Sequence, residues 1–376
     1  MLIFKHSQLD RRLGLIKKSL LSLTALCLSA SYSLAQEQKS QFDFTPVIKQ
    51  IIEQAVLPGY KNLKETAFAE EQIIKQLCIA PSAQNLELAQ KKYRSLVAAW
   101  SSVEMYRIGP AIKNNRQEKL FFWPDRKSIG LRQVRKLIDT ENKTAVSVES
   151  LQKKSVAVQG LLALEYVLFG KGSQELATAV PDSYRCSYGA TISNAIGKTA
   201  TDISDGWTDQ GGYADLMYTA GPDNPIYRSK GEVIQDFLRV GSEMIQSTRD
   251  LKIQNSIKSE PGKAKPKRAP LWRSDLTLFA FQESLKSVDH LFMAGGLGSF
   301  TPRYTKSLRF ELEQTNKLFA QLDATPDHWI DLVKQEKSHE NLTFVLIPLN
   351  GAKYVITDLI PQELGLNLGF NSLDGD

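Results

Sequence analysis

The segment SVAVQGLLALEYVLFG, residues Ser155–Gly170, predicts one buried helix around which the rest of the chain packs. Its apolar side chains fall on nearly every face of a helix, which is typical of a helix surrounded by other helices. Glu165 shares one face with Leu161 and Leu162, because it lies four and three residues after them. A carboxylate placed among hydrocarbons must be paired, hydrogen-bonded or protonated. Glu165 is therefore the first candidate for a functional residue.

Apolar residues recur at helical spacing through most of the remaining chain, and this pattern predicts an all-α protein. The predicted helices are Phe44–Gln76 with an interruption near Pro58, 86–105, Ile129–Ile138, Arg185–Ile203, 233–245, 276–291 and 308–322. The segment Lys252–Arg273 is rich in Lys, Arg and Pro, which predicts an extended crossover between helices. Arg273, at the end of this segment, is expected to face a neighbouring carboxylate or an anion.

The first 35 residues predict a secretory signal peptide. Five basic residues precede an apolar run, Ser19–Ala30, and small residues end at Ala35. The alternative is an uncleaved membrane anchor, although the run is short for a spanning helix and no later segment reaches about 18 unbroken apolar residues. The leader carries five basic residues and one acid, so its removal takes the formal net charge from +6 to +2. No nucleic-acid partner is therefore expected. We predict a periplasmic protein and expect a monomer.

Two cysteines follow the leader, Cys78 and Cys186. An even pair in an oxidising compartment, with no histidine nearby, predicts a disulfide bond. The alternative is two buried thiols. A bond would join the first pair of helices to the helix that begins near Arg185.

The motif Gly160, Leu162, Glu165 resembles the GxHxxE helix of the imelysin-like proteins, a bacterial envelope family classed among the metallopeptidases. Leucine stands here where that motif has histidine. Further segments resemble the same family in order along the chain: Ala99-Trp100 with Glu104, Gly109-Pro110, Phe122 to Arg126, Lys265 to Pro270, Trp272 to Ser274, and Leu364–Asp376.

The resemblance implies two four-helix-bundle-like domains packed side by side. We expect an N-terminal helical domain, residues 36–225, that carries the motif, and a C-terminal helical domain, residues 226–376. The C-terminal tail is dense in apolar residues and is expected to pack back against the body. The motif would lie near the junction of the two domains.

The number and spacing of the histidines argue against a zinc site of the kind found in ordinary zinc peptidases. Those after the leader are His290, His328 and His339, none at metal-binding spacing from another. A GxSxG motif is absent as well. Hard cations such as iron or calcium accept oxygen ligands alone, so a carboxylate site remains open.

The candidate metal ligands are Glu165, Glu104 and Asp125, with Asp374 as a further acid at the same cleft. The cleft is also expected to include Gly160, Leu162, Trp123, Arg126, Trp272 and Arg273. Because some imelysin-like proteins belong to iron-uptake systems, the resemblance implies a binding protein linked to iron or another cation. Two alternatives stay open, a peptidase-like enzyme with a degenerate site, and a module that binds a small molecule, a peptide or a protein without metal. In the last case Arg126 or Arg273 would neutralise Glu165.

Overall fold

The computed structural model describes residues 42–208 and 210–366, and all regular secondary structure in these ranges is helical. The predicted signal peptide, Asp374 and the C-terminal tail lie outside the described residues. The α-helices, in chain order, are α1 Thr45–Ile51, α2 Leu57–Ile79, α3 Ala83–Ser101, α4 Arg116–Leu120, α5 Ile129–Asp139, α6 Val148–Leu151, α7 Leu161–Phe169, α8 Tyr184–Thr208, α9 Tyr213–Tyr218, α10 Lys230–Gln246, α11 Asn255–Ile257, α12 Thr277–Met293, α13 Pro302–Asp323, α14 Trp329–Leu332, α15 Glu336–Tyr354 and α16 Ile360–Leu364. The all-α prediction is confirmed.

The predicted central helix is shorter than its apolar run. A 3₁₀ turn, Val156–Val158, comes first, and α7 begins only after Gly160. Gly160 has a φ of 80°, a conformation that favours glycine, and a Cβ added there would lie 2.3 Å from the carbonyl oxygen of Lys119 and 2.4 Å from that of Leu120. The chain therefore turns at Gly160 and starts a new helix there. The prediction of one continuous helix over Ser155–Gly170 was wrong in this respect.

The helix α7 is enclosed as predicted. It packs against α3, α5 and α8, while α2 packs along both α3 and α8. The end of α7 is fixed by Arg185, whose guanidinium donates to the carbonyl oxygens of Tyr166 at 2.8 Å and Val167 at 3.0 Å. A cation at a helix C-terminus satisfies carbonyl groups that have no partner within the helix.

The first predicted helix continues further than its proline suggests. A π-helical turn, Ile52–Val56, joins α1 to α2, and Pro58 lies at the start of α2. Because proline has no N–H, it fits the first turn of a helix. The irregularity predicted near Pro58 is thus one turn earlier, and the chain remains helical through it.

The C-terminal helices pack mainly on one another. The helix α13 packs against α12 and α15, α10 packs against α12 and α15, and α12 also packs against α3. The predicted extended crossover, Lys252–Arg273, is shorter in the structure, because its first residues belong to a π-helix, Ser247–Gln254. Past α11, the chain crosses to α12 through two 3₁₀ turns. The predicted domain boundary at residue 225 stays a prediction.

The disulfide prediction is confirmed. Cys78 and Cys186 are bonded, with their Cα atoms 5.5 Å apart. The bond ties the end of α2 to the first turn of α8, next to Arg185. It therefore stabilises the same helix junction that encloses α7.

One helical stretch, Glu336–Leu364, has the length and hydropathy of a membrane-spanning helix. It contains Pro348 and packs against α10 and α13. Helices in the core of a protein have the same composition, so this observation alone assigns no membrane. The expectation of no spanning helix after the leader stays a prediction.

Candidate ligand-binding pocket

A cavity of about 820 Å³ lies where α7 and α5 meet the segment 265–273. Aromatic and apolar side chains form much of its wall, and basic side chains stand around them. The lining includes Phe122, Trp123, Leu131, Val134, Leu162, Tyr166, Trp272 and Ile330 among the apolar and aromatic groups, and Arg126, Lys265, Lys267, Arg268, Arg273 and Lys334 among the basic ones. A concave, largely apolar pocket with a few polar groups is the usual form of a small-molecule site.

Glu165 lies at the wall of this cavity and is completely buried. Its Oε1 accepts three hydrogen bonds of 3.0 Å, from the backbone N–H of Arg273, the backbone N–H of Ser274 and the hydroxyl of Ser274. Leu271, with a φ of 60°, begins the turn that presents these two successive N–H groups. Adjacent N–H groups in such a turn form an anion-binding concavity. The turn before α12 thus holds the buried carboxylate.

The second oxygen of Glu165 is different. Oε2 accepts no hydrogen bond within the described residues, and the Nη1 of Arg273 lies 3.6 Å away. Burial raises the pKa of Glu165, while the Arg273 guanidinium and the Ser274 hydrogen bonds oppose that rise. Glu165 is therefore an acid with one oxygen that accepts three hydrogen bonds and a second oxygen that accepts none from the described residues.

Arg273 links Glu165 to the aromatic wall. Its guanidinium carbon lies 4.2 Å from the Trp272 ring centre and 5.7 Å from that of Tyr166. Cation–π contacts of this kind fix a planar guanidinium at low cost in solvation. The prediction that Arg273 faces a carboxylate agrees with its position, and Arg126 lines the cavity without pairing with Glu165.

Asp125 serves α5. Its Oδ1 accepts from the N–H of Ile129 at 2.6 Å, and its Oδ2 accepts from the N–H of Leu131 at 3.2 Å. These are the first N–H groups of the helix, which lack partners within it. Nearby, the indole N–H of Trp123 donates to the carbonyl oxygen of Arg268 at 3.2 Å, and so joins the two walls of the pocket.

Glu104 lies elsewhere. Both of its carboxylate oxygens are 2.9 Å from the Nζ of Lys252, and the Ser284 hydroxyl donates to Oε2. Within residues 42–208 and 210–366, no three Asp, Glu, His or Cys side chains are arranged to hold a metal ion. The predicted convergence of Glu104 with Asp125 and Glu165 was therefore wrong, because each acid already has a partner of its own.

The pocket is basic, and Asp125 and Glu165 are the predicted acids that line it within the described residues. Six basic side chains face two acids, and both acids are engaged by helix N–H groups or by Arg273 and Ser274. Gly160 does not line the cavity; it sets the start of α7. Leu162 does line it, and so an apolar group occupies the position of the motif histidine.

Sequence reasoning missed Ser274, Lys334 and Lys252. Ser274 falls in the segment Trp272 to Ser274, but nothing local indicates that its hydroxyl reaches Glu165, 109 residues earlier. Lys334 enters the pocket from the loop after α14, and Lys252 is buried in a segment that reads as polar crossover.

The model of the imelysin family of peptidases matches residues 56–343 of the chain. The iron-regulated protein A of Synechococcus elongatus is 22% identical over 206 residues, a match that spans 54% of this chain and 50% of that protein. An imelysin-like protein from Psychrobacter arcticum has a similar fold, with a TM-score of 0.72 and 17% identity over 88% of this chain and 99% of that one. A protein from Parabacteroides distasonis named as an iron-regulated protein A precursor also has a TM-score of 0.72, with 14% identity over 87% of this chain and 97% of that one.

Proposed function

Because this chain belongs to the imelysin family, we propose that it is an iron-linked binding protein of the cell envelope that holds its ligand in the Glu165 pocket. The observation that carries this proposal is the preformed cavity of about 820 Å³ with one unsatisfied, fully buried carboxylate oxygen in its wall. A buried acceptor left without a donor costs free energy, so a ligand that donated a hydrogen bond to Oε2 would gain affinity. The relatives named as iron-regulated support the link to iron.

An exported location is part of the proposal. The N-terminal segment has the pattern of a secretory leader, and the Cys78–Cys186 bond is of the kind that persists in an oxidising compartment. We propose the periplasm as that compartment.

The family's metallopeptidase classification raises the question of a resident metal. The residues present do not fit one at the motif. Leu162 offers no ligand atom, Glu165 Oε1 already accepts three hydrogen bonds, and the nearest charged group to Oε2 is the cation Arg273. Leu162, Glu165 and Arg273 are therefore better suited to contact a molecule bound in the pocket than to coordinate a metal ion directly.

The first test blocks the pocket. Leu162→Trp adds an indole to a half-buried position in the wall, and Leu318→Trp makes the same change at a half-buried position of α13 outside the pocket. Thermal unfolding is recorded with iron(II), iron(III), zinc(II), ferric complexes of negative, neutral and positive charge, and short peptides. A ligand at 100 times its Kd stabilises the native state by about 2.7 kcal/mol, a shift of a few degrees.

We expect at least one ligand to stabilise the wild type and Leu318→Trp but not Leu162→Trp. No stabilisation by any member of the panel, or equal stabilisation of Leu162→Trp, would overturn the proposal.

Restoring the motif histidine tests the metal question separately. We expect Leu162→His to gain no stoichiometric zinc binding in calorimetry, because Glu165 remains engaged by Ser274 and Arg273 and the described residues supply no third ligand. One zinc ion bound per chain by Leu162→His, lost again on adding Glu165→Gln, would show a degenerate metallopeptidase site instead.

A further inference from the structure

The basic groups of the pocket are largely free of acidic partners. Within the described residues, no carboxylate lies within 4.0 Å of a charged nitrogen of Arg126, Lys265 or Lys267, while Lys334 has only the exposed Asp331 at 3.4 Å. The pKa of Lys258, at the edge of this group, is lowered by burial and by the charges of Arg268 and Lys265. The opening of the pocket therefore has a positive potential that attracts anions and repels cations.

The interior is not suited to a bare inorganic anion. Phe122, Trp123, Leu131 and Val134 give the cavity an apolar part beside the basic groups. A small hydrated ion would have to leave its water to contact these apolar side chains, which offer it little hydrogen bonding in return. The combination suits an organic molecule that carries several negative charges on a carbon skeleton.

Glu165 Oε2 adds a second requirement. It is buried, belongs to a residue that lines the cavity, and accepts no hydrogen bond from the described residues. Arg273 Nη1 at 3.6 Å is beyond hydrogen-bonding distance. A hydroxyl or N–H of the ligand would complete this oxygen.

We infer that the pocket binds an organic hydroxycarboxylate, an anion whose carboxylates face the basic groups and whose hydroxyl donates to Glu165 Oε2. This inference rests on the proposed function and names its ligand class. It also reconciles a basic pocket with a link to iron, because hydroxycarboxylates supply the hard oxygen ligands that iron prefers. Iron would then reach the protein as part of an anionic complex, with the protein contacting the organic ligand.

The test uses citrate as a probe, in calorimetry with the purified chain. Tricarballylate is citrate without its hydroxyl, and triethyl citrate keeps the hydroxyl but has no charge. Ferric citrate distinguishes an iron-loaded ligand from a free one. We expect citrate or ferric citrate to bind, tricarballylate to bind about tenfold more weakly, and triethyl citrate not to bind. Binding should weaken as salt is raised.

Two double variants test which lysines bind the carboxylates of citrate. We expect the double change Lys265→Gln and Lys267→Gln to weaken citrate binding about tenfold. The same double change at Lys306 and Lys317, exposed lysines on α13, should leave it unaltered. Glu165→Gln should reduce the difference between citrate and tricarballylate, and its thermal midpoint without ligand reports whether it folds.

Three results would overturn the inference. The first is binding of triethyl citrate as tight as that of citrate. The second is an equal loss of citrate affinity in the Lys306 and Lys317 double variant, and the third is no binding of either citrate or ferric citrate. If a neutral or cationic ferric complex binds instead, and Leu162→Trp abolishes that binding, the inference fails and the proposed function stands. If no member of either panel binds in the pocket, both fail.

Discussion

The two oxygens of Glu165 have opposite environments. Three donors from Arg273 and Ser274 hold Oε1, and Oε2 has only the Arg273 charge at 3.6 Å. The first arrangement fixes the side chain, and the second leaves one oxygen without a hydrogen-bond donor among the described residues. The two oxygens of one residue thus have different roles, because one is held by the turn before α12 and the other accepts no hydrogen bond from the described residues.

Glu70 is a second buried acid, and it lacks any such support. It lies on α2 with both carboxylate oxygens buried and without hydrogen-bond partners in the described residues. Burial raises the pKa of Glu70 well above its ordinary value of 4.5, and the charge of Lys92 only partly opposes this. The neighbouring Glu71 differs, since it pairs with Lys75 at 2.6 Å and accepts from Asn194.

We predict that Glu70 makes the protein less stable as pH rises. Its folded pKa is raised, so the folded state keeps a proton that the unfolded state loses above pH 4.5. The stability is therefore fully present below pH 4.5 and falls as pH approaches the folded pKa, by up to about 1.4 kcal/mol per pH unit. Glu70→Gln cannot ionise, so its free energy of unfolding, from urea titrations at several pH values, should lack this decline.

The control is Glu71→Gln, one residue away. Because Glu71→Gln removes an ion pair, we expect it to lower the free energy of unfolding modestly near neutral pH. Glu70→Gln should instead raise it there, since it removes the decline with pH. If wild type and Glu70→Gln show parallel stability curves from pH 4.5 upward, Glu70 does not carry a raised pKa.

The start of α7 depends on one glycine. At Gly160 the backbone has a φ of 80°, and an added Cβ would clash with the carbonyl oxygens of Lys119 and Leu120. Backbone atoms cannot move aside as a flexible side chain can. The position of α7, and with it Glu165, is therefore set by the close approach of α7 to the end of α4.

We predict that Gly160→Ala lowers the free energy of unfolding by at least about 2 kcal/mol, because strain from the positive φ adds to a steric clash. Gly262→Ala is the matched control. Gly262 lies in the crossover with nothing within 4 Å of an added Cβ and no positive φ, so its change should stay within about 0.5 kcal/mol. Denaturant titration measures both, and equal effects would show that the Gly160 turn relaxes freely.

The N-terminal and C-terminal helices are joined by a buried ion pair. Lys252 is 2% exposed and Glu104 is 14% exposed, and the two groups lie 148 residues apart in sequence. Arg94 of α3 lies 3.6 Å above the ring of Phe279 on α12, near the same junction. Charges buried this deeply cost much to desolvate, so each depends on the other.

We predict that Lys252→Met alone, or Glu104→Leu alone, lowers the free energy of unfolding by about 3 to 5 kcal/mol. The double variant should lose less than the sum, with a coupling of about 2 kcal/mol or more, because no unpaired charge remains buried.

The exposed pair Lys61 and Glu65 on α2 provides the comparison cycle. Its coupling should be below about 0.5 kcal/mol. Additive losses at Lys252 and Glu104 would show that the pair does not hold the two sets of helices together.

The sequence by itself determined the helices, the disulfide, the burial of Glu165 and the approach of Arg273 to a carboxylate. The helices follow from local spacing, the disulfide from an even pair of cysteines, and the last two from the demand that a buried charge makes on its surroundings. The tertiary structure decided which groups pair with the acidic side chains. Asp125 became a helix cap, Glu104 joined Lys252, and Ser274 reached Glu165. Composition supplies acids and bases in comparable numbers, and only the packing of distant segments determines which charges neutralise one another. That packing leaves a pocket whose unpaired charges are positive.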